Sequence, residues 1–424
     1  MNIPESRFPR VVVIGGGFGG VSLIKNLRKT DVQVVLIDRH NYHTFQPLLY
    51  QVSTAGLEPD SIAYPLRKVF RKNDNFFFRM AVVEHINTEK KQIVTTIGSL
   101  KYDYLVIATG TRTNFFGNDS VKANSMPMKT VPQALNMRSL ILQNIEKAEL
   151  ASSPDERSQL LNFVIAGAGP TGVELAGALA EFRKGILEND YPALEEEEMH
   201  VHLLEGADRV LLPMSETSSA KAEKHLRQLG VEVHLNTMVQ DYDGTTVTTK
   251  DGKTFKTETF IWAAGVTGNP VPGIDGSSLV SKLNRYKVDP YNRILGFDDV
   301  FALGDVALME TESFPNGHPQ VAQPAIQQGK HLAKNFRLLL KGKSLKKFSY
   351  FDKGTLATIG RNKAVADIWK MHFSGAIAWF IWMFVHLWFL VGFRNRIITF
   401  FNWTYNYINY DRAARLIIRP FKKK

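Results

Sequence analysis

Hydrophobic positions in this chain gather into short β-branched runs that end on glycine or an acid, and helical spacing fills the intervals between them. Arg10–Ile14 (R-V-V-V-I) is continuously apolar after its first residue, the pattern of a parallel strand buried on both faces. It leads into Gly15-Gly16-Gly17-Phe18-Gly19-Gly20, after which Val21 to Leu27 has helical spacing. A second strand, Val32 to Ile37, ends in Asp38. The same order returns later. Phe163 to Ala166 runs into Gly167-Ala168-Gly169-Pro170-Thr171-Gly172, a helix over Val173 to Phe182 follows, and a strand His200 to Leu204 ends in Glu205. Two strand–turn–helix–strand units predict an α/β fold with parallel sheets.

Further strands repeat one design in each half. Tyr104 to Ile107 enters the small-residue turn Ala108-Thr109-Gly110, and Thr259 to Trp262 enters Ala263-Ala264-Gly265. These are core strands with tight exits, or the crossover strands that return each half to its partner. Val300 to Leu303 is apolar and ends in Gly304-Asp305, an acid that could also cap a helix. Asp241-Tyr242-Asp243-Gly244 lacks the remaining ligands of a calcium loop and reads as a turn. Glu195 to Glu198 reads as a solvated loop, Lys221 to Leu229 as a surface helix, and the eleven histidines show no trusted metal spacing.

The glycine loops carry chemistry. Both match G-x-G-x-x-G: Gly15 permits the tight turn, Gly17 lets a pyrophosphate approach the backbone, and Gly20 lets helix and strand pack closely. The helix N-terminus beginning near Phe18 supplies amide donors and positive potential to phosphates. Asp38, next to Arg39, can accept from ribose hydroxyls. Glu205 would accept from a ribose 2′-hydroxyl and repel a 2′-phosphate, which favours NADH over NADPH, although Arg209 lies nearby.

The C-terminal end has another character. From Phe373 to Phe393 the chain is apolar for 21 residues with His386 the only ionisable one, long enough to span a bilayer by length alone. Its tryptophans sit throughout, whereas spanning helices concentrate them at their ends. Beyond it, Ile397, Phe401, Tyr405 and Ile408 line one helical face and Asn395, Asn402, Asn406 and Asn409 the other, as in a helix lying in an interface.

Composition sharpens this picture. The 424 residues need two or three domains, and the absence of cysteine excludes disulfide relays, thiolate zinc sites and cysteine-ligated iron–sulfur clusters. The formal charge is +11. From Arg361 onward eleven Lys or Arg face only Asp367 and Asp411, and five of the six tryptophans fall there too. A basic, Trp-rich end fits an anionic membrane surface, and its apolar runs do not suit nucleic acid. Lys and Arg near such a surface contribute about 1 kcal/mol each, and burying one large apolar side chain about 1.5–3 kcal/mol. Apolar insertion therefore dominates and charge orients it. The nine residues before Arg10 hold no apolar core of a signal peptide, so the catalytic part is expected to stay in the compartment where it is made.

In the order of these signals the chain resembles the two-dinucleotide-binding-domain flavoproteins, glutathione-reductase-like in fold, and within them the type II (alternative) NADH:quinone oxidoreductases. Narrower matches are Asn41 to Gln51, Gly169 to Gly177, Ala322 to Gly329, and Val385 to Arg396. The resemblance implies two Rossmann-like domains plus a C-terminal α-helical membrane-anchoring region. An FAD domain is expected over 1–120 and 268–342, an NADH domain over 121–267, and the anchoring and dimerisation region over 343–424. It implies non-covalent FAD on Gly15, Gly17, Phe18, Gly20, Asp38, Arg39, Gln46, Pro47, Ala108, Thr109, Gly110, Gly304, Asp305, Gln323, Pro324 and Ala325. NADH, as substrate, is expected on Gly167, Gly169, Pro170, Thr171, Gly172, Glu174, Glu205, Ala264 and Gly265, with no metal.

Glu174 is implied as a carboxylate near nicotinamide and quinone, although an acid in a first helical turn is also favoured by the helix dipole. Gln323 and Gln327, spaced i, i+4, are implied at the flavin–quinone contact, and Lys363 near the quinone tunnel. The expected partners are a membrane quinone, a lipid bilayer surface and a second copy of the chain, with no nucleic acid. The expected location is peripheral, monotopic, on the cytoplasmic face of a bacterial inner membrane. With no bundle of spanning helices expected, NADH oxidation should be non-electrogenic. A soluble NADH-dependent reductase of a protein carrier and a non-catalytic nucleotide-binding redox sensor are the competing functions. A sulfide:quinone oxidoreductase would need cysteines.

Overall fold

The computed structural model describes residues 1–274, 276–409 and 414–422. Arg412, Asp411, Lys423 and Lys424, which entered the charge count, lie outside the described residues, as does the side chain of Asn409. By packing, the chain divides into two units: residues 1–43, 64–112 and 266–352, and residues 44–63, 113–265 and 353–424.

The first unit is built on a five-stranded parallel sheet in the order Val300–Ala302, Tyr104–Ile107, Arg10–Ile14, Gln33–Asp38, Phe76–Met80. Val11 pairs with Val34 on one side and Tyr104 on the other, and the register continues to Ile14 opposite Ile37 and Ile107. Strand alternation divides the apolar run between two cores. Val12, Ile14, Val35 and Ile37 pack on one face, and Val11, Val13, Val34 and Leu36 on the other. That is why the strands read as uninterrupted hydrophobic sequence. On the second face the helix Phe18–Asn26 packs against Ala322–Leu339. The approach is close enough that a Cβ on Gly329 would collide with the Gly19 carbonyl.

The second unit repeats the plan. Its parallel sheet runs Met126–Pro127, Thr259–Trp262, Asn162–Ala166, His200–Leu204, Val231–His234. An antiparallel excursion over Val239–Tyr242, Thr246–Thr249 and Thr254–Lys256 precedes the strand Thr259–Trp262, and Asp243 stands in its first turn. By packing, residues 353–424 group with this unit.

The C-terminal helices are preceded by an unanticipated three-stranded antiparallel sheet, Thr355–Gly360, Lys363–Ile368 and Met371–Ser374. Its two tight turns carry Asn362 and Trp369 with φ of 57° and 53°. Phe373 and Ser374, the start of the 21-residue apolar run, therefore belong to a strand. The helix itself is Ala376–Phe389, 14 residues, bounded by Gly375 and by Leu390 in extended backbone. At 1.5 Å per residue it is roughly 21 Å long, short of a hydrocarbon core of about 30 Å. Among the described residues no helix is long and apolar enough to cross a membrane.

The last helix, Phe393–Asn409, has its polar face turned inward. Asn395, 2% exposed, donates its amide to the carbonyls of Asp60, Ser61 and Ala63 at 2.8–3.2 Å. Those carbonyls lie at the C-terminal end of the short helix Pro59–Ile62, where intrahelical donors run out. Trp403 donates to Gln51 Oε1 at 2.8 Å and Asn406 to the Gly56 carbonyl at 3.2 Å. The opposite face is apolar and open, with Phe401 63% and Ile408 68% exposed. Ile377, Phe380, Phe384 and Trp388 form a second exposed apolar stripe on the preceding helix.

Candidate active site

In the first unit the glycine loop is assembled by its own backbone. Gly15 turns at φ 107°, and a Cβ on Gly20 would run into the Gly15 carbonyl, so only glycine allows that crossing. A Cβ on Gly17 would meet nothing, because this residue looks out on open space at the N-terminus of Phe18–Asn26. Asp38 holds the turn from the next strand: its Oδ2 accepts the Gly16 N–H at 2.6 Å and its Oδ1 the His40 N–H at 2.7 Å. Arg39 beside it is exposed. Phe18 meets the ring of His43 edge-on at 5.1 Å. His43 is wholly buried, which lowers its pKa to about 4, and its Nδ1–H donates to the Gly16 carbonyl at 2.9 Å. It is a neutral strut for the loop.

The strand ends gather at the same loop. Ala108 packs under Gly15, Thr109 donates to the Asn269 carbonyl at 2.6 Å, and Gly110 follows with φ 66°. Thr111 donates to Asp305 Oδ2 at 3.3 Å. Gln323, Pro324 and Ala325 open the helix Ala322–Leu339, with Ala325 against Gly304. Gln327 is held by a main-chain partner. Its side-chain amide pairs with the Phe351 main chain at 2.8 and 3.1 Å, as a neighbouring strand would. The buried glutamine is Gln328, which accepts the Gly304 N–H at 2.7 Å.

The second unit repeats the loop arrangement of the first. Gly167 turns at φ 98°, a Cβ on Gly172 would meet the Gly167 carbonyl, and Gly169 opens on free space at the N-terminus of Pro170–Phe182. Pro170 takes the first turn, where its missing N–H costs nothing, and Thr171 is exposed. Glu205 accepts the Ala168 N–H at 2.6 Å and the Ala207 N–H at 2.9 Å. Ala264 lies against Gly167, and the Gly265 carbonyl accepts the Asn114 N–H at 3.0 Å. Arg209 is occupied with the carbonyls of Leu212 and Met214 at 3.0 Å. Gln46 and Pro47 also fall in this unit by packing, in the 3₁₀ turn Gln46–Leu48.

Glu174 stands two residues beyond this glycine loop, buried, on the helix face covered by the strand Thr355–Gly360. A Cβ on Gly177 would strike the Ile359 carbonyl, so glycine sets how closely strand and helix approach. Burial drives the Glu174 carboxyl up to about 8, and the Thr358 backbone and the Trp382 indole oppose this only in part. That indole N–H is not aligned for a hydrogen bond, so its pull on Glu174 is weak. At neutral pH the acid carries its proton.

It lines a cavity of about 140 Å³ walled by Tyr50, Thr54, Trp382, Trp403 and Tyr407, with Glu181 and Arg361 at its polar side. The Arg361 guanidinium lies over the Tyr407 ring at 4.0 Å. Trp382 is stacked by His386 at 4.2 Å, and burial takes that imidazole down to about 4. Lys363, the cation that the sequence pointed to, is not part of this wall. Its charge is felt by His225 on the helix Glu216–Gln228 instead. The strand hairpin decides this, placing Arg361 at the cavity and Lys363 elsewhere.

Two glycine-loop cradles, each closed by a strand-end carboxylate, define a protein of the two-dinucleotide-binding class. Residues 9–329 match the family described as pyridine nucleotide-disulphide oxidoreductase, and residues 353–409 match the NDH2 C-terminal domain. The chain is 38% identical to the type II NADH:quinone oxidoreductase Ndh of Mycobacterium tuberculosis, across 97% of this chain and 90% of that one. To the type II NADH:quinone oxidoreductase NdhA of the same organism it is 37% identical, across 96% and 89%. In fold it is similar to NDH2 from Plasmodium falciparum in complex with NADH, with a TM-score of 0.89, 21% identity, and 97% and 100% of the two chains covered. The chain belongs to the pyridine nucleotide-disulphide oxidoreductase family and, within it, to the type II NADH:quinone oxidoreductases. Lacking cysteine, it has no place for the disulfide of the broader family's name.

Proposed function

We propose that this enzyme oxidises NADH and reduces a membrane quinone to quinol by two electrons, without proton pumping, with FAD as its resident, non-covalent flavin. The observation that carries the reading is a protonated, buried carboxyl in an aromatic-walled cavity within the unit that also bears the exposed apolar helices. The cradles fit their groups. Gly17 and Gly169 leave room where a pyrophosphate would meet free helix amides, and Asp38 and Glu205 keep lone pairs for ribose hydroxyls.

FAD would rest on the first unit's loop: Gly15, Gly17, Phe18, Gly20, Asp38 and Arg39, with Ala108, Thr109, Gly110, Gly304, Asp305, Gln323, Pro324 and Ala325. Gln46 and Pro47 are part of the same proposal, and Gln327 is a positioning residue through Phe351. NADH would rest on Gly167, Gly169, Pro170, Thr171, Gly172, Glu205, Ala264 and Gly265. Glu205 disfavours a 2′-phosphate, and Arg209, already engaged, does little to reverse that. When bound, FAD supplies the acceptance of hydride and the delivery of two electrons. NADH, a proton and quinone give NAD⁺ and quinol. The quinone oxygens take two protons, one of which Glu174 holds ready at a carboxyl oxygen. Arg361 places positive charge where an electron-rich quinone oxygen would gain from it.

The exposed apolar faces fit a monotopic seat on lipid, the cytoplasmic face of a bacterial inner membrane and a homodimer through the C-terminal region being part of the same proposal. They weigh against a soluble reductase of a protein carrier. The test is to mix purified flavin-loaded protein with NADH and a short-chain quinone. Quinol should form in step with NADH loss. Flavin that bleaches with NADH and is not reoxidised by quinone would favour a carrier reductase or a sensor instead.

A further inference from the structure

Outside the catalytic region, one surface cluster of the second unit converges ligand atoms. His200 and His202 share a face of the strand His200–Leu204, and the parallel register sets His202 opposite Glu232 on Val231–His234. His200 Nδ1 lies 3.0 Å from Glu232 Oε1, and His202 Nδ1 lies 3.3 Å from Oε2. His202 Nδ1 is also 3.2 Å from His234 Nε2. One ligand atom from each of His200, His202 and Glu232 lies within 4.8 Å of the other two, so small side-chain adjustments reach the separation of about 3.3 Å that tetrahedral coordination at about 2.0–2.1 Å requires. We propose that His200, His202 and Glu232 form a binding site for a divalent transition metal of the zinc, nickel or copper type, with solvent completing the shell.

Hydrogen bonding alone satisfies the cluster poorly. A single Nδ1–H on His202 can serve either the carboxylate or the His234 nitrogen, not both. Burial lowers the pKa of both His202 and His234, which disfavours the cationic forms that would repel a metal ion. Phe255 closes the inner side, its ring 5.1 Å from that of His202 and 5.2 Å from that of His234. His200 and Glu232 are about half exposed and leave an entry from solvent. Lys253 and Arg227, whose charges act on His234, are paired with Asp251 and Glu223. Imidazole and carboxylate without thiolate favour these borderline ions over copper(I) or calcium. Bound there, a metal would clip together two strands of the parallel sheet.

The experiment uses the full-length, flavin-loaded protein without a histidine tag, stripped with chelator and titrated with Zn²⁺ by calorimetry and with Co²⁺ by visible absorption. One equivalent should bind with a micromolar Kd, give a Co²⁺ spectrum of low coordination number, and raise the melting temperature. Glu232→Gln should weaken binding at least tenfold, and His200→Gln/His202→Gln should abolish it. Glu232 is a surface residue, so its variant tests the site even if the double variant fails to fold. Absence of binding below 1 mM, or equal binding by wild type and Glu232→Gln, would overturn the proposal.

Discussion

The two glycine-loop helices begin alike and are covered differently. In the first unit, Phe18–Asn26 lies under the helix Ala322–Leu339, and its buried polar residue, Ser22, donates to the Ile326 carbonyl at 2.7 Å. The contact is closed and satisfied. Glu174 holds the position in Pro170–Phe182 that Ser22 holds in Phe18–Asn26, seven residues after the first loop glycine. Its helix is covered by a strand, and its carboxyl faces a cavity. One scaffold, used twice, makes a solid contact in one place and a cavity with a buried acid in the other. The proposed chemistry lies where the second copy departs from the first.

The largest effect should come from filling one cradle while sparing the other. Gly172→Val places a side chain against the Gly167 carbonyl. Reduction of a soluble dye by NADH should fall more than a hundredfold while flavin content per chain stays at the wild-type level. Loss of flavin along with the activity would show that the two cradles are not independent. A smaller effect is expected on the exposed face of the last helix. Replacing Phe401 and Ile408 by Ser removes apolar area worth about 1.5 kcal/mol or more for each residue. Partition onto anionic vesicles should drop at least tenfold with dye reduction unchanged, and an unaltered partition would remove this face from the lipid contact. The smallest is Asn395→Ala, which strips the donor from three carbonyls. Thermal or urea unfolding should register a loss of about 1–3 kcal/mol.

Legibility in the sequence followed the range of the contacts. Both cradles were readable because a loop, its helix and the acid ending the next strand lie within one local unit. The cavity was not, because Glu174 meets Thr358, Arg361 and Trp382 only after the chain returns from far away. That Gln328 is buried against Gly304 while Gln327 meets Phe351, and that Arg361 lines the cavity, depends on helix phase and hairpin register that spacing alone leaves open. The amphipathic pattern of the last helix was plain, but only packing reveals that its asparagines serve as internal donors. The sheet over 355–374 left a weaker trace, since its turns use Asn362 and Trp369 at positive φ instead of glycine. His200-x-His202 became a cluster only through its register with Glu232.

Burial of a neutral Glu174 also has a cost in stability. Its pKa is about 8 when folded and 4.5 when unfolded, so between those values the unfolded chain releases a proton that the folded chain keeps. Stability therefore falls as pH rises from about 4.5 to 8, and Glu174→Gln should flatten that slope. The most direct measurement is the pH dependence of quinone reduction at saturating NADH, for the flavin-loaded enzyme and for Glu174→Gln. The wild-type rate should decline as pH passes about 8, and the Gln variant should be at least tenfold slower below that pH with no such inflection. Wild-type rates with an unchanged profile in the Gln variant would contradict a proton held at Glu174 for quinone.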